Sequence, residues 1–326
     1  MYGTQSEMDS KAFSTGSTDR FARLGAANSC GEANADRIGS DVPIRIYVLG
    51  RFSIAIDGHP VSVNGNGKSN GKAKKRPLAL LKALIAFGGR GVASSQLSES
   101  LWPDSEGDLG VRNLTVTLHR LRHVLRAHAA VLQHDGKLTL NERVCWVDVW
   151  GFERAVNDGL RQLHEAAGGD AAEPHLRAAL SLYAGHFLSH ESEESWMLTP
   201  RLRMKTKFER LVAALSIHLE NRDRFADAID LCLRALESDP LNELLYRRLM
   251  SCYLKRGELA GVLRTYLRCR EALANELSSP PSIETESIYL ESVRAATKLS
   301  GAQAARLSHL LEVGVDPRTA MKRSEG

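Results

Sequence analysis

The run GNGKS at positions 65–69 has residue types that could bind a nucleotide phosphate. A phosphate-binding loop needs the spacing G-x-x-x-x-G-K-[ST], because its backbone N–H groups wrap the phosphate and its Lys reaches the same phosphates. Counting back from Gly67 places the first glycine at position 62, which is Ser62. The helix should also begin at the lysine, whereas the next helical run follows Pro77. The spacing therefore argues against a nucleotide site, and an ATP-dependent enzyme remains an alternative that rests on GNGKS alone.

Other patterns of catalytic or metal-binding residues do not stand out. The five cysteines are scattered without a C-x-x-C pair, and the eleven histidines show no H-E-x-x-H or other paired metal spacing. No G-x-S-x-G turn is present for a serine nucleophile. We therefore expect no catalytic residue, no metal, no cofactor and no enzyme activity. The thiols are expected to be reduced, in a cytoplasmic protein without a secretory signal or a membrane span.

Positive charge is concentrated in one part of the chain. Between Lys68 and Trp150 there are thirteen Lys and Arg against seven Asp and Glu, whereas the net charge of all 326 residues is only +4. Such an asymmetry is typical of a surface that binds an anionic partner. A basic run precedes the first helix of this part, at Lys72, Lys74, Lys75 and Arg76. We expect this run to neutralise DNA phosphates rather than to hold one nucleotide.

The order of elements in this basic part predicts a winged helix. Short alternating strands begin at Ile44, three helical runs follow, and a hairpin then turns at Asp135-Gly136. This is the order of an α+β winged helix-turn-helix domain with an N-terminal antiparallel sheet. Lys137, at the tip of the predicted wing, is expected to contact a DNA phosphate.

The third helical run, VRNLTVTLHRLRHVLRAH, is amphipathic. Its leucines recur at spacings of 4, 3 and 4 and so predict one buried stripe, formed by Leu114, Leu118, Leu121 and Leu125. The opposite face is polar and basic, and a helix of this kind fits the major groove, where side chains meet base edges. A solvated charged face would have the same pattern in isolation. The surrounding order of strands, helices and hairpin favours DNA binding.

The second half of the chain predicts an all-α domain. Strand signals disappear after Phe152, and a repeat of about 34 residues is the period of tetratricopeptide helix pairs. In the unit that ends at Pro240, Ala228 and Ala235 occupy positions where paired helices approach closely; in the next unit Val262 replaces the small residue. The predicted division is a disordered arm (1–41), a winged-helix domain (42–149), an all-α domain (150–298) and a weakly ordered tail (299–326).

Several long segments carry a resemblance to a known family. They are LGRFSIAIDG, KKRPLALLKALIAFGGRGV, LSESLWPDSEGDLGVRNLTVTLHRLRHVL and VDVWGFERAV, followed by ESWMLTPRLRMKTKFERLVAAL and AIDLCLRALESDPLNELLYRRLMSCYLKRGE. The chain resembles SARP-type bacterial transcriptional regulators, in which an OmpR-like winged helix precedes a bacterial transcriptional activator domain built on tetratricopeptide-like helices. Two departures are a longer Gly/Asn/Lys insert at 64–72 and the lack of receiver and NTPase modules.

The resemblance implies roles for particular residues. The third helix would read direct repeats in double-stranded promoter DNA, with base contacts from Val116, Thr117 and Arg120. Phosphate contacts would come from Arg112, Asn113 and Arg122. Loop 103–110 would face RNA polymerase through its acidic residues, which are Asp104, Glu106 and Asp108.

The expected function is a sequence-specific transcriptional activator. Its helical domain would serve dimerisation, as a homodimer, or signal input. The alternative of a different class is a tetratricopeptide adaptor or scaffold protein whose winged helix does not read DNA. Exposed arginines on the third helix favour DNA, because a protein-binding surface there would more often expose apolar residues.

Overall fold

The computed structural model describes residues 42–61, 70–105, 107–165 and 169–298. The predicted arm, the predicted tail and the GNGKS run lie outside these residues. The described strands are β1 (Ile44–Tyr47), β2 (Ser53–Ile56), β3 (His59–Pro60), β4 (Val92–Ala93), β5 (Val131–His134), β6 (Lys137–Leu140) and β7 (Cys145–Val147). The described helices are α1 (Asn70–Ala86), α2 (Ser94–Leu101), α3 (Gly107–Val124), α4 (Asp148–His164), α5 (Gly169–Leu182), α6 (Ser195–Glu220), α7 (Phe225–Ser238), α8 (Glu243–Lys255), α9 (Leu259–Leu277) and α10 (Ile283–Lys298).

A four-stranded sheet with the order β3-β2-β1-β7 opens the fold. Strands β1 and β2 are antiparallel, with Ile44 opposite Ile56, as the sequence predicts. Strand β7 pairs with β1 in parallel, with Ile46 opposite Val147, so the sheet is mixed rather than purely antiparallel. The sequence pattern could not show this, because β7 comes a hundred residues after β1 and its pairing depends on the path of the helices between them.

The three helices α1 to α3 and a three-stranded sheet complete a winged helix. Strand β6 lies between β4 and β5, and β5 pairs with β6 across the two-residue turn of Asp135 and Gly136. Both turn residues have positive φ, 46° and 69°, as a tight hairpin turn of this kind requires. The predicted hairpin and the buried leucine stripe of α3 are both confirmed.

Two helix boundaries differ from the sequence predictions. Helix α1 begins at Asn70, so Pro77 lies inside it rather than at its start. Proline has no backbone N–H, and at this interior position one helical hydrogen bond is therefore lost. Helix α3 begins at Gly107, which shortens the predicted loop 103–110. Gly110 lets the first turn of α3 pack closely on α2. Any Cβ at this position would lie 2.4 Å from Oγ of Ser98 on α2.

Helices α4 to α10, which pack on their neighbours in the chain, form the second part of the fold. Ala228 and Ala235 are buried, as their repeat positions predict. In the following unit the close approach falls at Gly261 rather than at Val262, since a Cβ on Gly261 would lie 2.5 Å from the ring of Tyr253. The repeat therefore keeps a small residue in that unit, one position earlier than the sequence register suggests.

The two parts share one hydrophobic core and a hydrogen-bonded junction. The chain after β1 pairs with the segment between α5 and α6: Leu188 N–H donates to the Val48 carbonyl at 2.8 Å, and Gly50 N–H donates to the His186 carbonyl at 3.0 Å. Gly50 has a φ of +104°, and a Cβ there would lie 3.2 Å from the backbone of Ala184. The winged helix is thus fastened to the helical part by backbone as well as by side chains.

Candidate nucleic-acid interface

The outer face of α3 is a row of exposed side chains opposite its buried leucines. Its members recur at spacings of 4, 3 and 4, and they are Arg112, Val116, His119 and His123. Arg120 and Asn113 flank this row on one side and are also exposed. Val116 is 50% exposed although it is apolar, so its methyl groups are free to contact another molecule. We call these six residues the outer face.

The chemistry of the outer face suits a base edge. An arginine guanidinium can donate two parallel hydrogen bonds to O6 and N7 of guanine, and an apolar methyl group can contact the methyl group of thymine. Arg120 and Val116 supply these two groups on neighbouring positions of the helix surface. The outer face therefore combines the two contact types that direct readout in the major groove uses.

Thr117 is not on the outer face. Its side chain is 6% exposed, because the helical period of 3.6 residues places it beside Leu114 and Leu121 on the core side. Thr117, for which the resemblance implies a base contact, is therefore turned toward the core rather than toward the outer face. A rotation of 100° per residue separates its side chain from that of Val116.

Arg122, for which the resemblance implies a phosphate contact, also has a structural role. Its Nε and Nη2 atoms both donate to the carbonyl of Val131, at 3.1 and 2.8 Å. Val131 is the first residue of β5, so this guanidinium joins α3 to the start of the wing. The side chain is only partly exposed, and two of its three guanidinium nitrogens donate within the protein.

We expect Arg122→Ala to lower stability rather than to remove a DNA contact directly. The loss of two charge-assisted hydrogen bonds to a partly buried carbonyl should cost about 1.5–3 kcal/mol. Thermal unfolding measures this cost, and Arg154→Ala on the exposed surface of α4 is the matched control. An unchanged melting temperature in Arg122→Ala would contradict the structural role.

The remaining basic side chains differ in their exposure and in whether they already donate a hydrogen bond within the protein. Lys137 at the wing tip and Lys75 on α1 are exposed. Arg76 is exposed but donates through Nη1 to the Leu101 carbonyl at 2.9 Å, which ties α1 to the end of α2. The side chains of Lys72 and Lys74 lie outside the described residues, so the structure does not bear on their expected phosphate contacts.

The acidic loop before α3 is only partly described. Asp104 is exposed, whereas Glu106 and the side chain of Asp108 lie outside the described residues. Two large apolar side chains, Leu109 and Val111, are exposed in the first turns of α3 beside this loop. An acidic loop next to exposed apolar residues is a surface that a protein partner could cover.

Groups suited to catalysis are not apparent in the described part of the chain. The described cysteines, Cys145, Cys232, Cys252 and Cys269, are buried. Burial raises the pKa of the Cys145 and Cys269 thiols to about 12, which leaves them protonated and unreactive. Within the same described ranges, no group of three or more His, Cys, Asp and Glu side chains could hold a metal ion, and no helix is long and apolar enough to cross a membrane.

Comparisons with known proteins agree with this architecture. Residues 147–291 match the family model of the bacterial transcriptional activator domain. The regulatory protein DnrI of Streptomyces peucetius is 24% identical over 252 residues, which are 72% of this chain and 90% of that protein. The structure of Mycobacterium tuberculosis EmbR in complex with a low-affinity phosphopeptide has the same fold, with a TM-score of 0.58 and 19% identity over 83% of this chain and 71% of that one.

These matches confirm the resemblance to SARP-type regulators, and with it the predicted fold class of a winged helix followed by an all-α domain. The class is one of transcriptional regulators.

Proposed function

We propose that this protein is a sequence-specific transcriptional activator that binds direct repeats in double-stranded promoter DNA through α3 and the wing. The observation that carries the proposal is the outer face of α3, where Arg112, Val116 and Arg120 are exposed opposite a fully buried leucine stripe. A helix that is packed on one face and presents arginines on the other is suited to the major groove. Arg120 and Val116 would contact bases, while Arg112 and Asn113 would contact phosphates.

The wing supplies a second, sequence-independent contact. Lys137 is exposed beside the Asp135-Gly136 turn, and the Gly136 carbonyl accepts a hydrogen bond of 2.8 Å from Ser94 N–H at the start of α2. The wing tip is thereby held against the helix-turn-helix, so Lys137 has a defined position relative to α3. A cation fixed in this way neutralises a phosphate and sets the register of the helix on the duplex.

Two further proposals concern other surfaces: a contact with RNA polymerase and a role for the helical domain. The acidic residues Asp104, Glu106 and Asp108, the last of which lies in the first turn of α3, would face a basic surface of RNA polymerase. The helical domain, at 150–298, would serve dimerisation or signal input. The division into an arm (1–41), a DNA-binding domain (42–149), this domain and a tail (299–326) is part of the same proposal.

The effect of Lys137→Ala on salt dependence tests the DNA-binding proposal. We expect weaker binding to every duplex, and the slope of log affinity against log salt should become shallower by about 1, because one phosphate contact is lost. Fluorescence anisotropy of a labelled duplex at several salt concentrations measures both quantities. Arg154→Ala, which removes a cation from the helical domain, should leave the slope unchanged. A slope that is equally unaffected in both variants would contradict the wing contact.

An adaptor function is the second candidate, and one surface favours it. Leu198 and Leu202 on α6 are 58% and 67% exposed, one helical turn apart. They line a groove of about 370 Å³ together with His186, Arg201 and Lys205. If the protein is an adaptor, Leu198→Asp should abolish its activity in cells while DNA binding stays absent in the wild type. Measurable sequence-specific DNA binding by the wild type favours the activator instead.

A further inference from the structure

His119 and His123 form an exposed histidine pair in the middle of the outer face of α3. They are four residues apart on the helix, which places their side chains on the same side of it. Their ring centroids are 5.0 Å apart, with the planes at 76°. Both residues are exposed, and among the described residues the one interaction of their imidazoles is the ring contact with each other. The expectation of no paired metal spacing among the histidines is wrong for this pair, because positions 119 and 123 are four apart on one helix.

We propose that this histidine pair is a chelating site for a divalent transition-metal ion such as Ni²⁺ or Zn²⁺, and that the bound ion competes with DNA. The second half of this inference rests on the proposed function of α3. Imidazole nitrogens are preferred ligands of these ions, and two histidines at a spacing of four on one helix face are a recurring bidentate arrangement. Small side-chain rotations bring two such rings to one ion, because exposed rotamers exchange readily.

The surroundings of the histidine pair determine what else the ion would meet. The buried thiols are not available as competing ligands, because burial keeps them protonated. The charged neighbours on α3 and just beyond it are Arg112, Arg120, Arg122 and Arg126, all cations. They weaken the attraction for a dication, so chelation by two ligands at once must supply the affinity. Water would complete the coordination of the ion, since the site is open to solvent.

Competition with DNA follows from the position of the histidine pair. His119 and His123 lie in the same row as Arg112 and Val116, next to Arg120. A hydrated ion on this row would separate the helix from the base edges and would prevent the bidentate hydrogen bonds of Arg120. The bound ion would thus reduce sequence-specific binding.

The first arm of the test measures metal binding without DNA. Isothermal titration of the full chain with Ni²⁺ is expected to show a site that is lost in His119→Ala/His123→Ala, because this variant lacks both ligands; replacing partners of ligands alone already costs about tenfold or more in metal affinity. His164→Ala, which removes a solitary exposed histidine on α4, is the matched control and should bind Ni²⁺ as the wild type does. Equal Ni²⁺ affinity in the double variant and the wild type would overturn the site. Because both histidines are exposed, thermal unfolding should show that the double variant folds normally.

The second arm measures DNA affinity with and without saturating Ni²⁺. The ion is expected to weaken DNA binding by the wild type and to leave that of the double variant unchanged relative to its own metal-free value. Unchanged or tighter DNA binding by the wild type would overturn the competition. If the metal-free wild type does not bind DNA at all, the proposed function fails, while the calorimetric arm still decides whether the metal site exists.

Discussion

Arg120→Ala is expected to weaken binding to the protein's preferred DNA site by about 1–3 kcal/mol and to relax the base preference at one position of each repeat. Arg120 is exposed on the outer face of α3 and has no hydrogen bond or ion pair among the described residues. Its guanidinium is therefore available for a base in the bound state. Fluorescence anisotropy with the preferred duplex and with single-base variants of it measures the affinity and the preference together.

Two controls separate base reading from general electrostatics. Lys137→Ala should reduce affinity for all duplexes by a similar factor, because a phosphate contact carries no sequence information. Arg154→Ala removes a cation far along the chain and should leave both quantities unchanged. Because Arg120 has no hydrogen bond or ion pair within the described part of the chain that its replacement would remove, its variant should keep the wild-type melting temperature. If Arg120→Ala weakens binding uniformly, with the same base preferences as the wild type, the assigned role is wrong.

Asp148→Ala is expected to cost about 2–5 kcal/mol in the free energy of unfolding, because it leaves buried backbone donors without acceptors. The Asp148 carboxylate is buried at the start of α4 and accepts from the N–H groups of Val48 and Leu49, each at 2.8 Å. A third bond of 2.8 Å comes from Val149 N–H. One side chain thus fastens the end of β1 to the first turn of the helical domain. Chemical denaturation measures the loss.

The pH dependence of stability gives a second readout for Asp148. Burial raises the pKa of this carboxyl from 3.8 to about 7, although its backbone hydrogen bonds act in the opposite direction. The folded protein therefore holds a proton between about pH 4 and pH 7 that the unfolded chain releases. The stability gained by this proton is fully present below the unfolded pKa, and it is lost as the pH rises through about 7.

Asp148→Asn removes this titration while keeping the size of the side chain. Its melting temperature should vary less between pH 4 and pH 7 than that of the wild type. It should also unfold at a higher temperature than Asp148→Ala at every pH, because its one amide oxygen can still accept from the N–H groups of Val48 and Leu49. Profiles of Asp148→Asn and the wild type that run parallel over this range would contradict the raised pKa.

The elements that the sequence predicts well are those with a local signal. The leucine stripe of α3 follows from helical periodicity, and the hairpin follows from the Asp135-Gly136 turn, whose residues tolerate positive φ. In each case the residues that form the signal lie close together along the chain. Neither depends on how distant parts of the chain pack, so a single sequence is sufficient to predict them.

The features that the sequence did not predict depend on tertiary contacts. Strand β7 joins β1 in parallel, and Leu49 forms a bridge with Phe187 from the segment between α5 and α6. No local pattern marks either pairing, because each unites residues about a hundred or more positions apart. The same reasoning applies to Asp148, whose partners at Val48 and Leu49 become visible only in the folded chain.

Within the candidate site, the sequence located the helix but not each side chain. For Thr117 the local signal is sufficient. The helical period of 3.6 residues places this residue beside the leucine stripe and away from the outer face. Arg122 could not be assigned in this way. Its commitment to the Val131 carbonyl depends on where the wing begins relative to α3.

The most direct test of the central claim, that the outer face of α3 reads DNA sequence, is selection of duplexes from a random pool by the purified full-length chain. We predict recovery of a direct-repeat motif whose binding weakens steeply as salt is raised, because α3 and the wing would contact both bases and phosphates. Recovery of no motif, with weak binding at low salt only, would contradict the claim and would favour the adaptor function.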